Sequence, residues 1–391
     1  MATGGNMGPF EEIKKLYEHR DRAAWEWKAK GGKIVGYISD DVPDEMVLAA
    51  GFFPFRMSGD PAGGTAEADK YTEYFLDPSV RSILNMLLTG KYDFLDFIII
   101  PHHSDATLKL YHQLWWIHRV NPAITFPPVY LFDVLHTPFL TSALFVRDRL
   151  TDLKKQLEAW SGKEISDEAL SQAMATGNKN RALLNKVAAL RITEKPRISG
   201  VEALQIVSTS AFMLKEEHNK LLTQFLDGAG SLPERAGVRL FIEGSDLDNL
   251  QFYKLVESSK AVIVAENSSW GNRYFDDPVD ESADPMEALA DRYHARPSRL
   301  RTQSSAQRVD YCAENAVKAK AQGTIFYLFE WDPALAWDQP DQKKLLDEKG
   351  IPSLCFSDQK YSLSDSDRAT LKTGLEQFVA AIGQTHKEVS R

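Results

Sequence analysis

The chain has 391 residues, a length that suits two or three domains better than one core. Its hydrophobic content of 43% and charged content of 26% are typical of a soluble globular protein. The formal net charge of −9 argues against nucleic acid or an anionic membrane as a partner. The longest apolar runs are too short to span a bilayer, and the start shows no secretory signal, so a cytoplasmic location is predicted.

The N-terminal third alternates predicted strands and helices. In chain order the elements are helix 11–28, strand 33–38, helix 44–50, strand 53–57, helix 78–89, strand 97–100, helix 105–120 and strand 129–133. Strands joined through helices build parallel sheets. The pattern therefore predicts an N-terminal helix within residues 1–30 and a first α/β domain over residues 31–140.

The remainder changes character twice. Residues 141–226 show long helical periodicity, which predicts a helical segment over residues 141–232. Strand signals then resume, interspersed with helices, and a last helix is predicted at 365–382. The later strands are predicted at 237–243, 261–266, 323–328 and 352–356. We therefore predict an α/β fold: two doubly wound, mainly parallel-sheet domains with a helical segment between them, the second domain covering residues 233–391.

Polar residues follow several predicted strands at the end where parallel sheets bind ligands. The carboxyl ends of parallel strands meet at one edge of the sheet, and sites are built from the loops there. The residues at these ends include Ser39, His102, His103, Ser104, Gly244, Ser245 and Glu330. The pattern predicts a site at these loops but does not select its chemistry, because every doubly wound protein has polar loops there.

Cysteine is scarce in this chain. Cys312 and Cys355 are its two cysteines, too few for a disulfide framework or for the thiolates of an ordinary iron–sulfur site. The simplest interpretation is two reduced, buried thiols.

Segments in three parts of the chain carry a family resemblance. Residues 76–82, 100–106 and 328–333 resemble the three cluster-binding segments of the 2-hydroxyacyl-CoA dehydratase and benzoyl-CoA reductase family, of the 2-hydroxyglutaryl-CoA dehydratase D-component type. Further family-like pieces, in matching order, are 35–56, 92–101, 243–245, 271–273 and 350–352. The resemblance implies two α/β domains with a helical part, in agreement with the pattern of strands and helices.

The resemblance also implies a chemistry that this chain has altered. In the family each of the three segments carries a cysteine that ligates an iron–sulfur cluster, whereas here Asp77, Ser104 and Trp331 stand in those places. A further family-like cysteine is replaced by Ser298. Family members are heteromeric enzymes that act on acyl-CoA thioesters, in which related subunits pair and an ATP-dependent iron–sulfur activator supplies the electron.

Cofactor and partner expectations follow from that resemblance. Because thiolates hold such clusters, we expect no cofactor in this chain and a [4Fe–4S] cluster only in a homologous sister subunit. The expected substrate is a coenzyme A thioester, and the ATP-dependent activator is a further expected partner of the complex.

Three interpretations remain open. In the preferred one, the chain keeps the fold and the partner interface while the cluster belongs to a sister subunit. In the second, a stand-alone enzyme without a cluster uses acid–base residues in the vacated cluster cavity on an acyl-CoA thioester. In the third, that cavity holds one metal ion bound by His102 or His103 and Asp77.

Candidate site residues follow from these interpretations. The catalytic candidates are Ser39, Asp77, His103, Ser104 and Glu330, and the substrate-binding candidates are Arg56, His102, Gly244, Ser245, Arg273 and Trp331. Several have structural explanations as well. Asp77 would cap the helix that Pro78 begins, and Ser39 would cap the helix after the first strand. Trp331 would fill the vacated space, and Arg273 would form an ion pair at the surface or between domains.

Overall fold

The computed structural model describes residues 8–135, 137–295, 303–330 and 332–389 of the chain. Within them the strands form two four-stranded sheets in which all neighbouring strands are parallel. Helices flank both sheets. The predicted α/β fold with two domains is therefore confirmed.

The first sheet lies in the N-terminal third. Its strands are β1 (Ile34–Tyr37), β2 (Phe53–Arg56), β3 (Phe97–Pro101) and β4 (Val129–Phe132), in the order β2-β1-β3-β4. The helices of this part are α1 (Pro9–Glu18), α2 (Arg22–Lys28), α3 (Asp44–Ala49), α4 (Pro78–Leu88) and α5 (Asp105–Val120). The isoleucines Ile98, Ile99 and Ile100 of β3 are fully buried, as expected for a strand covered on both faces.

A run of helices separates the two sheets in the chain. Its members are α6 (Leu140–Ser161), α7 (Asp167–Ile192), α8 (Gly200–Thr209) and α9 (Lys215–Asp227). This part of the chain is helical as predicted. Helix α7 contacts α3 of the first domain and β6 (Ala261–Asn267) of the second, so the helical segment packs against both.

The second sheet has the order β6-β5-β7-β8. Besides β6, its strands are β5 (Val238–Gly244), β7 (Gly323–Phe329) and β8 (Ser353–Gln359). Its helices are α10 (Gln251–Ser258), α11 (Asn272–Phe275), α12 (Pro285–Ala295), α13 (Ser305–Lys318), α14 (Pro333–Glu348) and α15 (Asp365–Val389). None of the helices in the described ranges is both long and apolar enough to cross a membrane.

The two sheets share one continuous hydrophobic core. Phe55 and Ile98 of the first sheet belong to the same buried cluster as Leu240 and Ile325 of the second. Phe212, just after α8, lies in this cluster with its ring centroid 5.8 Å from that of Phe55. Apolar burial on this scale holds the two domains together, so loops from both sheets line one cavity.

The N-terminal helix predicted over residues 11–28 is divided in two, and the prediction of one uninterrupted helix is wrong. The turn between α1 and α2 directs Arg20 toward the protein. Its guanidinium donates to Ser58 Oγ at 2.6 Å and to the backbone oxygen of Asp248 at 2.7 Å. Contacts with residues distant in the sequence therefore fix this turn.

Candidate functional site

A cavity of about 660 Å³ lies between the two domains. Its walls come from loops at the carboxyl ends of strands in both sheets and from the first turns of α4 and α5. This is the position at which parallel sheets bind ligands.

Most of the predicted site residues meet at this cavity. Those that line it are Ser39, Arg56, Asp77, His103, Ser104, Ser245 and Arg273. His102, Gly244 and Glu330 are not among its lining residues. Trp331 and Ser298 lie outside the described residues.

The loop after β1 and the loop after β3 meet through a carboxylate. The Asp41 Oδ2 atom accepts a hydrogen bond from Ser39 Oγ at 3.1 Å and is bonded to Nδ1 of His103. Asp41 is buried, whereas the His103 side chain remains one-third exposed. A carboxylate bonded to one ring nitrogen fixes the tautomer and orientation of the imidazole.

Ser39 does not cap α3. Its backbone has φ of +67°, in the left-handed region, and Pro43 occupies the N-cap position without a side-chain hydrogen bond. The prediction that Ser39 caps this helix is wrong, because its side chain donates to Asp41 and lines the cavity instead.

The two adjacent histidines point apart. His102 Nδ1 lies 2.8 Å from Asp133 Oδ1, after β4, while His103 is bonded to Asp41 after β1. Neighbouring side chains in extended backbone face opposite sides. The geometry therefore gives no support to a shared ligand for this pair.

Asp77 and Ser104 both cap helices at the cavity wall. Asp77 Oδ1 accepts from the backbone N–H groups of Ser79 at 2.8 Å and Val80 at 3.2 Å. Ser104 Oγ accepts from the backbone N–H of Thr107 at 3.2 Å, and the Thr107 hydroxyl accepts in return from Ser104 N–H at 3.0 Å. The structural role predicted for Asp77 is confirmed, and the residues at two of the positions where the resemblance implies family cysteines are helix N-caps.

An ordered network of charges forms the wall contributed by the second domain. Asp246 accepts hydrogen bonds from Ser269 N at 2.8 Å and Ser269 Oγ at 2.5 Å, and it pairs with Arg273. Burial alone would raise the pKa of Asp246, but Arg273 and Ser269 hold it below its usual value. Asp246 is therefore a carboxylate at neutral pH.

Arg56 connects the first domain to this network. Its guanidinium donates to the Ser269 backbone oxygen at 2.7 Å and to Ser269 Oγ at 2.6 Å, and lies 3.9 Å from the ring centroid of Trp270. Arg56 is 4% exposed. A buried, stacked guanidinium with two hydrogen bonds joins the two domains at the cavity.

The segment after β7 reaches the cavity through Asp332. Ser245 Oγ donates to Asp332 Oδ2 at 2.7 Å and accepts from the Phe329 backbone N–H at 2.9 Å. Burial raises the pKa of Asp332, and the nearby carboxylates of Asp77 and Asp246 add to this. The first and third cluster-type segments thus meet at one wall.

Asp248 ties three distant parts of the chain to the cavity. Its carboxylate accepts from Gly59 N at 3.1 Å and from the Tyr361 hydroxyl at 2.7 Å, and its backbone oxygen accepts from Arg20. Asp248 is buried where these parts of the chain meet. The N-terminal turn, the first domain and the C-terminal part therefore all contribute to holding this part of the cavity wall in place.

Gly244 and Glu330 have positions explained by the sheet. Gly244 has φ of +135°, and a side chain there would overlap the backbone oxygen of Tyr327 in the neighbouring strand. Glu330 N donates to the Gln359 backbone oxygen at 2.8 Å, which continues the pairing of β7 with β8. Glycine is thus required at position 244 by strand packing.

A buried acid lies next to the cavity wall. Glu243 is 1% exposed, and both its carboxyl oxygens accept from Asn267 Nδ2, at 3.0 and 2.9 Å. Burial raises the pKa of Glu243 to about 7, although Asn267, Cys312 and Arg273 oppose the shift. Glu243 is not among the residues that line the cavity, although Ser245, two residues later, is.

The donor set of the cavity does not fit a [4Fe–4S] cluster. Cys312 is buried among apolar side chains, Cys355 is exposed on β8, and neither lines the cavity. Across residues 8–135, 137–295, 303–330 and 332–389, no group of three or more His, Cys, Asp or Glu side chains is placed to hold a metal ion. Asp77 Oδ1 and Ser104 Oγ are engaged as helix caps.

Several residues at the cavity wall or in contact with it were not predicted as site residues. Asp246 and Asp41 stand beside predicted residues, and their acidic character after strands was a usable signal. Lys109 and Trp270 were missed, since nothing in the sequence places them at the cavity, and only the fold brings them there.

Comparison with known proteins places these features in a family context. The family model for the 2-hydroxyglutaryl-CoA dehydratase D-component matches residues 41–382. The chain is 25% identical to the (R)-phenyllactyl-CoA dehydratase beta subunit of Clostridium sporogenes, over 88% of this chain and 91% of that protein. It is 26% identical to one of the subunits of the benzoyl-CoA reductase of Thauera aromatica, over 87% and 90%. The beta subunit of the (R)-2-hydroxyglutaryl-CoA dehydratase of Acidaminococcus fermentans is 24% identical, over 95% and 98%.

Proposed function

Since the chain belongs to the 2-hydroxyglutaryl-CoA dehydratase D-component family, we propose that it is a cluster-free subunit of a heteromeric complex that processes acyl-CoA thioesters. In this complex the iron–sulfur cluster belongs to a homologous sister subunit. The names of the relatives support the proposal, because each is a subunit of an acyl-CoA dehydratase or reductase.

One observation carries the proposal. The cluster-type positions Asp77 and Ser104 still meet at a cavity between the domains, but their side chains cap helices. The chain has the fold and the cavity but lacks the cluster ligands. This combination suits a subunit whose role is to shape a site that it shares with a partner. The cluster chemistry then belongs to the partner.

The cavity suits the uncharged end of a thioester. Its volume lies within the range of small-molecule sites. Arg273 is paired with Asp246, and the Arg56 guanidinium donates to two oxygens of Ser269, so these cations are already engaged within the wall. Such a wall favours an acyl group and a thioester carbonyl over an ionised group.

The oriented histidine favours a second candidate function. Asp41 fixes the imidazole of His103 at the cavity wall, and histidine is the side chain best suited to transferring protons near neutral pH. In this alternative the chain is a stand-alone enzyme without a cluster that performs acid–base chemistry on an acyl-CoA thioester.

Native mass spectrometry distinguishes the two functions. The protein would be isolated without oxygen from its own cells, and iron would be measured in each separated chain. The proposal predicts a heteromer with a cysteine-bearing homologue, with iron in that homologue alone. A homo-oligomer without iron would favour the stand-alone enzyme, and iron bound to this chain would contradict both.

A further inference from the structure

We propose that the cavity mouth, defined by Tyr74, Phe75 and Lys109, binds the 3′-phospho-ADP end of coenzyme A. Lys109 would contact a phosphate, and the ring of Tyr74 would stack on the adenine. The inference rests on the proposed function and assigns the recognition of the thioester's charged end to this chain.

Lys109 is a cavity cation without a carboxylate partner in the described part of the chain. It lies on α5, lines the cavity, and its Nζ stands 4.9 Å from the centroid of the Phe75 ring. Two arginines that line the same cavity are, in contrast, paired with carboxylates. Arg273 pairs with Asp246, and Arg308 pairs with Asp338 at 2.5 Å.

An ammonium group in this setting is suited to a phosphate. The chain as a whole carries a net charge of −9, yet no carboxylate of the described residues lies within ion-pair distance of Lys109. Asp105, one helical turn earlier, is placed to pair with it but forms no ion pair. A partly exposed cation remains available for an anion from solvent.

The aromatic part of the mouth is exposed yet ordered. Tyr74 is 73% exposed and Phe75 is 42% exposed, and their ring centroids lie 5.5 Å apart in an edge-to-face contact. Arg81 donates to the Tyr74 backbone oxygen at 2.9 Å and pairs with Asp69 at 2.5 Å. The turn that presents these rings is therefore held in place, so stacking requires little further ordering.

The two parts of the mouth match the two parts of the ligand. A phosphate requires a cation, and an adenine stacks on an exposed aromatic face. Phe75 links them, because it lines the cavity, contacts Tyr74 and carries Lys109 over its ring. Arg56, which is buried, and the half-buried Asp246 line the same cavity, and the acyl end would contact this part of the wall.

Calorimetric titration of the full-length chain tests the assignment, with coenzyme A and pantetheine as the probes. We expect Lys109→Gln and Tyr74→Ala each to weaken coenzyme A binding by about five- to tenfold. Pantetheine lacks the nucleotide, so its binding should not change in either variant. Lys109→Arg should retain most of the affinity, which separates loss of charge from loss of fold.

Matched controls come from other surfaces of the chain. Lys186→Gln removes an exposed charge from α7, and Phe139→Ala removes an exposed ring at the start of α6, both away from the cavity lining. Neither should alter coenzyme A binding. Inorganic phosphate should compete far more weakly than 3′-phospho-ADP, because it provides no ring to stack.

Three results would overturn the inference. Unchanged coenzyme A affinity in both the Lys109→Gln and Tyr74→Ala variants would contradict the assignment of this site but not the proposed function. Equal competition by inorganic phosphate and 3′-phospho-ADP would reduce the mouth to a general anion site. Failure of the chain to bind either probe would refute both this site and a substrate role for this chain, while assembly with a sister subunit would still be judged by mass spectrometry.

Discussion

The Ser245 hydroxyl and the Asp332 carboxylate meet at 2.7 Å, joining the loop after β5 to the start of α14. Through this bond, and through the hydrogen bond that Ser245 accepts from the Phe329 N–H, the third cluster-type segment is fixed to the cavity wall. The Ser245 hydroxyl thus bridges two segments of the chain, whereas the family resemblance predicts that Ser245 contacts the substrate.

Replacing Ser245 with alanine should destabilise the protein. The change leaves the Phe329 N–H without its acceptor and the partly buried Asp332 without the Ser245 donor. We expect a loss of about 1–3 kcal/mol in the free energy of unfolding. Urea unfolding followed by circular dichroism measures this. Ser245→Thr, which keeps the hydroxyl, should lose less, and an alanine variant as stable as the wild type would show that the bond contributes nothing.

Asp77 should act as a helix cap rather than as a catalytic acid. Asp77→Ala should lower the free energy of unfolding by about 1 kcal/mol, whereas Asp77→Asn, a good N-cap, should be nearly neutral. In the assembled complex both variants should turn over substrate within a few-fold of the wild-type rate. Loss of activity in Asp77→Asn at unchanged stability would instead identify a chemical role.

His103 distinguishes the two candidate functions by rate. In an accessory subunit, His103→Gln should change the rate of the complex by less than about tenfold, since general acid–base catalysis by a histidine contributes roughly 10²–10⁴-fold where it operates. Asp41→Asn should have a similarly small effect. A large rate loss in both variants, with the bell-shaped pH profile flattened, would favour the stand-alone enzyme.

Glu243 makes stability depend on pH. Its pKa is about 7 in the folded chain, against 4.5 for an ordinary glutamate, so between these values the folded state retains a proton that the unfolded state releases. The resulting stabilisation is complete below about pH 4.5 and is lost as the pH rises toward 7, a change of about 3 kcal/mol.

Glu243→Gln isolates this contribution. The amide cannot ionise, so the variant's free energy of unfolding should vary less between pH 5 and pH 7 than that of the wild type. Urea unfolding at several pH values measures the difference. Parallel pH curves for the two proteins would mean that Glu243 is ionised in the folded state at acidic pH.

The elements that follow from local pattern were predictable. Helix α5 begins and ends where predicted, because Ser104 is a good N-cap and apolar residues recur at helical spacing. The buried strand β3 is a run of apolar residues with no competing helical period. The meeting of the polar loops at one cavity was predictable, because the carboxyl ends of parallel strands lie at the same edge of a sheet.

Contacts between distant residues were not predictable. The break between α1 and α2 depends on Arg20 reaching Ser58 and Asp248, which are 38 and 228 residues away in the chain. The partner of His103 is 62 residues distant. Lys109 was missed for a related reason, since an unpaired charge is a property of tertiary surroundings.

The position of Asp248 has a consequence for folding. Its carboxylate joins Gly59, 189 residues earlier, to Tyr361, 113 residues later. Contacts of such high sequence separation are slow to form, because chain closure costs entropy before the contact returns any free energy. During synthesis the cavity wall is completed only after Tyr361 has emerged from the ribosome. A nascent chain can thus build the first sheet early, but it acquires the closed cavity last.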